Sequence, residues 1–505
     1  MILGISAGFH DAGVCVLDYD GNIHFASHSE RFSKKKHDKH LCKAILDRCF
    51  EYPIEHVAYY ERPWMHNMQQ WISGQSVSQH WSLKSTLKSI LGDYWNPQLS
   101  TSCYPHHLSH AAAGFQTSPY DDATVVVIDA IGELDTISIY YAYYDNKGRA
   151  RYRKLWGQRY PHSIGLFYSA ITQRVGLRPM DEEYITMGMA AFGHEKAKSL
   201  MTSNVLETQM KQRYLYSDNK LQFKENFHTG IDASHWEDYS NEEIAFAAQT
   251  IAEELIQDVM YTAARLGNSK NLVYMGGVAL NCVANRNIGL NFDNVWIMPN
   301  PGDAGSGLGC AALHYGKRVN WEHPYTGTCI EGEYPVNELL DELLSNRIVG
   351  VAAGGAEFGP RALGNRSLLA DPRGDDIKDL VNTIKKRQKF RPFAPVILEE
   401  YADQYFDMPR GFSSSPYMQV TAYCKHPELF PAIVHVDGTS RVQTVPKDSA
   451  SGIRQLLEKW YVLTDCPMLL NTSLNIRGEP MIDTVEDAIR FEQLYNTPVC
   501  TPKKG

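Results

Sequence analysis

A β-meander occurs twice in the first third of the chain, and each copy begins with a buried strand that ends in polar residues. Apolar runs and period-2 patterns predict strands at 2–6, 14–17 and 23–26 in the first copy and at 123–129, 136–144 and 151–156 in the second. Turn signals such as Asp20-Gly21 separate the strands. The repeat therefore predicts two related α/β halves around a cleft.

Two such halves are the arrangement of the actin, sugar-kinase and Hsp70 class of folds. Downstream, a helix is predicted at 241–266 and a strand at 271–274, followed by a glycine pair and a further helix from Val278. The whole chain is thus expected to be α/β.

A boundary is predicted in the stretch 319–335, which contains Pro, Gly and Thr and has no clean period. We interpret it as a linker. The chain then divides into an N-terminal domain, 1–335, and a C-terminal domain, 336–505, which suits its length of 505 residues.

Composition excludes several classes of protein. The formal net charge is −9, which argues against a broad cationic nucleic-acid binder. The ten cysteines form no CxxC pair, so reduced thiols are expected rather than a disulfide framework. The absence of a leader pattern and of an apolar run of about 20 residues predicts a soluble, cytoplasmic protein without a membrane partner.

His106 and His110 lie one helical turn apart in a segment that follows a proline and precedes three alanines. Two imidazoles on one helix face could bind one metal ion. Asp129 ends a predicted strand, and Asp303 lies in a glycine-rich loop, so both carboxylates could add to such a site. Unconnected histidines and a turn-forming aspartate are the structural alternatives.

Glycine-rich loops before helices predict contacts to a phosphate group. The residues concerned are Gly132, Gly276, Gly277, Asn281, Gly302 and Gly305. In the first meander, His10 and Asp11 occupy the first turn, where His10 could act as general base on a hydroxyl. A turn residue satisfied by the backbone is the alternative for His10.

Arginines recur in short loops of the C-terminal part that are punctuated by Gly and Pro. They are Arg361, Arg366, Arg387, Arg391, Arg441 and Arg477. Any one of them could form a surface salt bridge, but the set favours a site for phosphate groups, because guanidinium forks match phosphate oxygens.

At this point the chain resembles the NodU/CmcH-type O-carbamoyltransferases along nearly its whole length. The matching motifs are ISAGFHDAG, HHLSHAAAGF, GGVALNC, PGDAGSGLG, EFGPRALGNRSLLADPR, HVDGTSRVQTV and NTSLNIRGEP. The block EFGPRALGNRS is highly specific to that family.

The resemblance implies an N-terminal TsaD-like domain of the duplicated ASKHA, RNase H-like type and a C-terminal YrdC-like α/β domain. The C-terminal domain would make carbamoyl-adenylate from carbamoyl phosphate and ATP with Mg²⁺, and the N-terminal domain would pass the carbamoyl group to a hydroxyl. Fe²⁺ or another divalent metal would be held by His106, His110, Asp129 and Asp303. Lys385, Asn471 and Ser473 would join the arginines in binding carbamoyl phosphate and ATP.

Three departures from the family pattern stand out. Ile185 replaces a usual lysine, Gln388 stands where an acid is common, and the chain is shorter than typical members. The acceptor stays open. It could be a sugar or antibiotic-like metabolite, or a hydroxymethyl-pyrimidine, either free or within nucleic acid. The basic run Lys34–Lys36 is a faint indication of a polyanionic acceptor.

The alternative functions are a tRNA threonylcarbamoyl-type enzyme and a non-catalytic nucleotide-binding protein of the ASKHA class. The domain order and the block EFGPRALGNRS argue against the first. The four candidate metal ligands and the arginine set argue against the second. A homodimer is the expected assembly.

Overall fold

The computed structural model describes residues 1–72, 74, 77, 80–200, 203–217, 220–232, 234–388 and 391–503. The strands of the N-terminal part are β1 (Ile2–Ser6), β2 (Gly13–Leu17), β3 (Ile23–His28), β4 (His56–Tyr59), β5 (Ser100–Cys103), β6 (Asp122–Gly132), β7 (Asp135–Tyr144), β8 (Ala150–Arg159), β9 (Tyr214–Ser217), β10 (Lys220–Phe223), β11 (Asn271–Met275) and β12 (Asn294–Trp296).

The helices of this part are α1 (Ser29–Ser33), α2 (Lys43–Cys49), α3 (Pro63–Ile72), α4 (Leu83–Leu91), α5 (His106–Thr117), α6 (Ile164–Arg174), α7 (Glu183–Leu200), α8 (Ser203–Lys211), α9 (Asn241–Leu266), α10 (Asn285–Ile288) and α11 (Ser306–Tyr315). Helix α9 has the predicted bounds and begins with a capping box between Ser240 and Glu243. The prediction of a helix from Val278 is wrong, because the chain forms only a 3₁₀ turn there, Gly277–Leu280.

Two five-stranded sheets share one topology. The first has the order β3-β2-β1-β4-β5, and the second has the order β8-β7-β6-β11-β12. In each sheet the meander is antiparallel. A fourth strand pairs parallel with the first strand of the meander, and a fifth pairs parallel with the fourth. The duplicated α/β architecture is therefore confirmed. It places the carboxyl ends of β1 and β6 at equivalent positions.

Helices α5 and α11 pack between the two sheets. Strand β1 is buried along its whole length, as expected for a strand covered on both faces. A side chain is excluded at Gly4 of β1, because a Cβ there would lie 1.9 Å from the carbonyl oxygen of Gly307 in α11. This close approach fixes α11, and with it the loop that carries Asp303, against the first sheet.

The C-terminal part contains the strands β13 (Cys329–Ile330), β14 (Ile348–Ala352), β15 (Gly354–Gly355), β16 (Arg366–Ala370), β17 (Ala394–Leu398), β18 (Phe406–Asp407), β19 (Thr421–Cys424), β20 (Thr439–Arg441), β21 (Gln443–Val445), β22 (Met468–Ser473) and β23 (Val499–Cys500). Its helices are α12 (Val336–Asn346), α13 (Ile377–Ile384), α14 (Ala402–Tyr405), α15 (Ile453–Thr464) and α16 (Val485–Tyr495). A mixed sheet of order β21-β17-β22-β16-β14-β23 forms its centre, with a buried apolar cluster on each face.

The two parts are joined by a buried arginine. Arg31 in α1 is 1% exposed, and its guanidinium donates to the carbonyl oxygens of Ile482, Glu357 and Gly359 at 3.2–3.3 Å. The division at residue 335 stays a prediction. Within the described residues, no helix has both the length and the apolar composition needed to cross a bilayer.

Candidate active site

Four side chains from three elements meet at the centre of the N-terminal part. His106 and His110 occupy the first two turns of α5, which begins directly after Pro105 as the sequence predicts. Asp129 lies near the end of β6, and Asp303 lies in the turn before α11. Each residue offers one ligand atom, and these atoms all lie within 4.8 Å of one another.

The donor atoms of this cluster face one another closely. Nε2 of His110 lies 3.1 Å from Nε2 of His106, 3.1 Å from Oδ2 of Asp129 and 3.2 Å from Oδ1 of Asp303. Bonds of about 2.1 Å to one metal ion would place neighbouring ligands about 3 Å apart, so the spacing suits a single ion. Two imidazoles with two carboxylates are a donor set for a divalent transition metal such as Fe²⁺.

The far side of each imidazole is held by an acceptor. Nδ1 of His110 lies 3.1 Å from the carbonyl oxygen of Pro301, and Nδ1 of His106 lies 3.5 Å from Oε2 of Glu61. Protons on both Nδ1 atoms would leave both Nε2 lone pairs free, which is the usual support of metal-bound histidines. Glu61 also lies 3.4 Å from Nδ1 of His66, so one buried carboxylate serves two imidazoles.

An unpaired atom tests whether the cluster fits a cation. Oδ2 of Asp129 is buried and has no hydrogen-bond donor, whereas its Oδ1 accepts from the amide of Ala130 at 2.8 Å. Burial alone would raise the pKa of Asp129, but His106 and His110 hold it well below its usual range, so the carboxylate is ionised. A buried, ionised oxygen directed at three other ligand atoms fits a metal ion.

The predicted glycines divide into two groups by their surroundings. A Cβ on Gly276 or Gly305 would lie about 2 Å from a backbone oxygen (2.2 Å from Ile128 and 1.9 Å from Asn300), so these two serve chain packing. Gly277 and Gly302 border more open space beside the metal cluster. A Cβ on Gly277 would lie 3.1 Å from Oδ1 of Asp129, and a Cβ on Gly302 would lie 4.0 Å from the Cα of Gly277. Of the predicted glycines, Gly277 and Gly302 thus face the least crowded space, and Gly277 lies directly beside Asp129.

Two other residues predicted to bind nucleotide have structural partners. A Cβ on Gly132 would lie 2.4 Å from the ring of His107, so glycine is needed there for the approach of α5. The Asn281 side chain exchanges two hydrogen bonds with Gln249, at 3.1 and 3.2 Å, and accepts one from the amide of Ala284. The phosphate contacts of Gly132 and Asn281 stay predictions.

His10 and Asp11 belong to a charge network in the first turn. Asp11 lies 3.0 Å from Nδ1 of His10 and 2.8 Å from Nδ1 of His37, and His37 also reaches Asp181 at 2.7 Å. Nε2 of His10 lies 2.8 Å from the carbonyl oxygen of Met180. Both nitrogens of His10 therefore face acceptors, and both nitrogens of His37 face carboxylates.

These contacts set the charge of the pair. Burial alone would lower both pKa values, but the carboxylate of Asp11 raises the pKa of His10 to about 9, and Asp11 with Asp181 raises that of His37 to about 10. In this arrangement His10 donates two hydrogen bonds. To accept a proton, as predicted from the sequence, it must first release the carbonyl of Met180 and lose its own proton.

Four of the predicted arginines converge in the C-terminal part, namely Arg361, Arg387, Arg391 and Arg441. Burial and the charge of Arg441 lower the pKa of Arg361 to about 9, and burial with neighbouring arginines lowers those of Arg387 and Arg391. Nε of Arg441 is buried and has no acceptor. Because like charges in such a setting repel, an anion bound among them would stabilise the cluster.

Arg366 has another role. It is fully buried in β16, and it donates to five backbone carbonyl oxygens, those of Thr328, Ala353, Gly354, Asn365 and Asp483, at 2.9–3.2 Å. Its guanidinium thus joins four separate stretches of the C-terminal part. A role of Arg366 in binding carbamoyl phosphate or ATP stays a prediction.

A group of polar side chains lies beside the arginine cluster, formed by Lys385, Asn471 and Ser473. Nζ of Lys385 donates to Oγ of Ser473 at 3.0 Å and to Oδ1 of Asn475 at 2.7 Å, and burial holds its pKa well below the usual range. Oδ1 of Asn471 is buried without a donor, although its amide nitrogen is bonded to Ala362 and Gln443. Lys385 therefore already has oxygen partners from the protein.

One guanidinium links the arginine cluster to the metal cluster. Nη2 of Arg361 donates to the carbonyl oxygen of Leu280 at 3.4 Å, in the 3₁₀ turn that begins at Gly277 beside Asp129. The arginine cluster and the metal cluster thus lie on either side of one short turn.

Family models match both parts of the chain. A model described as Carbamoyltransferase N-terminus matches residues 45–312, and one described as Carbamoyltransferase C-terminus matches residues 340–499. The chain belongs to the carbamoyltransferase family. Both models fall within the predicted domain ranges.

Curated relatives of this carbamoyltransferase match it along most of its length. An uncharacterised protein of Synechocystis is 31% identical and aligns with 97% of this chain and 93% of the relative. The nodulation protein NolNO of Sinorhizobium fredii is 28% identical over 95% of this chain and 76% of its own length. Nodulation protein U of the same species is 30% identical over 74% and 73%.

Among solved structures, HypF of T. kodakarensis can be superposed on this carbamoyltransferase with a TM-score of 0.35 and 14% identity. The superposition includes 62% of this chain and 47% of the HypF chain. The activator of 2-hydroxyisocaproyl-CoA dehydratase from Clostridium difficile covers 62% and 94%, with a TM-score of 0.32 and 12% identity.

The roles of Asp181, Glu182 and Tyr184 in the carbamoyltransferase were not recognised from the sequence, although these residues contact the charge network of His37 and the arginines of the C-terminal part. Asp181 pairs with His37 and with Lys36, Glu182 pairs with Arg477 at 3.0 Å, and Tyr184 lies under the guanidinium of Arg391 at 4.9 Å. The acidic run 181–183, followed by an aromatic residue, was the available signal.

The structure shows the surroundings of two residues that depart from the family pattern. Ile185, which replaces the usual lysine, is 1% exposed at the start of α7. A lysine there would place an ammonium group in a buried environment, so the apolar residue suits this carbamoyltransferase. Oε1 of Gln388, which stands where an acid is common, is buried without a donor.

Proposed function

We propose that this carbamoyltransferase is an ATP-dependent O-carbamoyltransferase that makes a carbamoyl-adenylate in its C-terminal part and transfers the carbamoyl group to a hydroxyl in its N-terminal part. The observation that carries the proposal is the contact between Arg361 and the carbonyl of Leu280. It joins a polyanion site to a cluster suited to a metal. A reactive intermediate formed at one site can then reach the other without crossing bulk water.

In the adenylation half, water hydrolyses carbamoyl phosphate to carbamate and inorganic phosphate. A carbamate oxygen then attacks the α-phosphorus of ATP. The bond to the β-phosphate breaks and pyrophosphate leaves. The four clustered arginines suit the charge of ATP with Mg²⁺ and of the departing pyrophosphate, and neighbouring positive charge contributes to the lowered pKa values of Arg361, Arg387 and Arg391.

In the transfer half, His10 first loses its Nε2 proton to solvent and releases the carbonyl of Met180. The hydroxyl oxygen of the acceptor then attacks the carbamoyl carbon, the bond to AMP breaks, and the hydroxyl proton passes to the neutral His10 ring. Asp11, held between His10 and His37, keeps the ring of His10 oriented. Fe²⁺ or another divalent metal at His106, His110, Asp129 and Asp303 would supply a Lewis acid for the carbamoyl oxygen or the phosphate.

The test uses the full chain with isotope-labelled carbamoyl phosphate, ATP, Mg²⁺ and Fe²⁺. Pyrophosphate release reports adenylation, and mass spectrometry of pooled sugars and hydroxymethyl-pyrimidine nucleosides reports transfer. We expect Arg361→Gln to abolish both signals, and His106→Ala to abolish transfer while pyrophosphate release continues. No pyrophosphate release by the wild-type protein would overturn the proposal.

A further inference from the structure

The loop between α6 and α7 occupies the nitrogen that the proposed transfer step needs. Nε2 of His10 donates to the carbonyl oxygen of Met180 at 2.8 Å. A neutral His10 would keep its proton on Nδ1, toward Asp11 at 3.0 Å, and would then direct the lone pair of Nε2 at that carbonyl oxygen. Because two lone pairs repel, His10 can accept a proton only after the carbonyl of Met180 has moved away.

Met180 has a strained backbone that its neighbours keep in place. Its φ angle is +63°, in the left-handed region that a methionine rarely adopts. Its amide donates to Oε1 of Glu183 at 2.5 Å, and the same oxygen accepts a hydrogen bond from Oγ of Ser169 in α6. The carbonyl that faces His10 therefore depends on the shape of this loop, and a shift of the loop would withdraw it.

Glu182 connects the same loop to the C-terminal part. Its carboxylate is buried, and Oε1 accepts from Nη2 of Arg477 at 3.0 Å, while Oε2 accepts from the amide of Arg178 at 3.1 Å. The exposed guanidinium of Arg178 adds a longer contact of 3.5 Å. Burial alone would raise the pKa of Glu182, but these hydrogen bonds hold it below its usual range. The ionised carboxylate therefore relies mainly on Arg477 for a compensating charge.

Arg477 lies beside the arginine cluster. Its amide donates to the carbonyl oxygen of Lys385 at 3.0 Å, and its charge adds to burial in lowering the pKa of Arg391. Arg391 in turn lies over the ring of Tyr184, two residues after Glu182. The side chain of Arg477 is 40% exposed, so it can turn toward a bound molecule. A phosphate group among these arginines would compete with Glu182 for Arg477.

We propose that Glu182 is a positioning residue that couples the two parts, so that a nucleotide polyphosphate bound by Arg477 withdraws the carbonyl of Met180 from His10. This inference rests on the proposed function. When Arg477 turns to a phosphate, Glu182 loses its main cation and moves toward water, because a buried charge without a partner is costly. Glu182 and Met180 are two residues apart, so this movement also shifts the carbonyl. The base is then free only while a nucleotide occupies the C-terminal part.

The test measures the access of a reagent to His10 rather than turnover. The full chain is treated at about pH 8 with diethyl pyrocarbonate, which acylates an imidazole nitrogen whose lone pair is free, with and without Mg²⁺ and the α,β-methylene analogue of ATP. Mass spectrometry reads the label on His10 in the tryptic peptide 1–31. His24 in the same peptide, a surface ring paired with Asp18, is the internal reference.

We expect the analogue to raise the labelling of His10 in the wild-type protein about fivefold, the factor that one hydrogen bond of typical strength corresponds to. Arg477→Met should raise the labelling without the analogue. Glu182→Gln should keep it low in both conditions, because a neutral side chain does not need the cation. The matched control is Glu225→Gln, which removes the partner of Arg213 from a surface ion pair of 2.6 Å and should respond like the wild type.

Two outcomes would overturn the inference. In the first, the analogue leaves the labelling of His10 in the wild-type protein unchanged. In the second, Glu182→Gln is labelled strongly without the analogue, which would limit Glu182 to a structural role in the loop. Pyrophosphate release from ATP and carbamoyl phosphate is measured separately on the wild-type protein. Its absence, together with labelling that depends on the nucleotide, would contradict the proposed function and still support the coupling.

Discussion

Oε2 of Glu61 lies 3.5 Å from Nδ1 of His106, on the side of the imidazole opposite to the metal cluster. The carboxylate is buried, and although burial alone would raise its pKa, His106 and His66 hold that pKa below its usual range. An ionised Glu61 therefore keeps the proton of His106 on Nδ1 and directs Nε2 toward the cluster.

We expect Glu61→Gln to weaken divalent-metal binding about 10–100-fold, the usual cost of losing such a carboxylate. Chelator competition with Fe²⁺ or Mn²⁺ measures the affinity directly, without reference to activity. Glu55→Gln is the control, since Glu55 is exposed and pairs with the N-terminal amine rather than with an imidazole of the cluster. Equal affinities of the two variants would contradict the assignment.

Arg361 and Arg366 offer a matched pair of buried arginines with opposite roles. Arg366→Met should lower the free energy of unfolding by at least about 3 kcal/mol, because several buried carbonyl oxygens lose their donor. Arg361→Met should leave that free energy unchanged or raise it, since one repelling charge is removed, while ATP-dependent pyrophosphate release falls at least about tenfold.

Chemical denaturation and pyrophosphate release, measured on both arginine variants, check this pair. Comparable destabilisation by the two substitutions would show that Arg361 is also a structural residue.

The raised pKa of His10 predicts a pH dependence of carbamoyl transfer. With a pKa of about 9, the ring is protonated at neutral pH and its neutral, basic form grows as pH rises. If His10 is the base, the transfer rate should rise about tenfold per pH unit from 7 toward 9 and then level off. His10→Gln should lower the rate and remove the slope.

The pH profile of pyrophosphate release serves as the control for this measurement, because it reports adenylation alone. A wild-type transfer rate that is flat from pH 7 to 9, together with a slow His10→Gln variant, would instead make His10 a hydrogen-bond donor.

Arg31→Met should destabilise the protein by about 2–5 kcal/mol, because three buried carbonyl oxygens, on Glu357, Gly359 and Ile482, lose their donor. Denaturation in urea measures the loss. The comparison variant is Arg48→Met, which removes an arginine from a surface pair with Glu51 and should cost less than about 1 kcal/mol. Equal effects would mean that the buried hydrogen bonds of Arg31 add little.

The sequence predicted those features that local spacing encodes. Helix α9 and strand β1 have the predicted bounds, because each has a clear apolar period and a clear end. The convergence of His106 and His110 followed from their i, i+4 spacing. The position of Asp303 beside them followed only from the family resemblance and the glycine-rich loop.

Contacts between distant segments escaped prediction. Glu61 meets His106 across 45 residues, and Asp181 meets His37 across 144, and no local pattern marks either pair. The arginines show the same limit. Arg361 and Arg366 sit in one motif, yet one faces other arginines and the other faces carbonyl oxygens, which depends on the fold of the loop around them.

The hydrogen bonds of Arg31 bear on how the chain could be divided. A cut between residues 335 and 336 would separate this guanidinium from all three of its acceptors. The first fragment would keep a charged side chain in a formerly dry contact, and the second would expose the carbonyls that it covered. We therefore expect the two pieces, produced from separate reading frames, to fold well only when made together, so that complementation of the fragments would report their association.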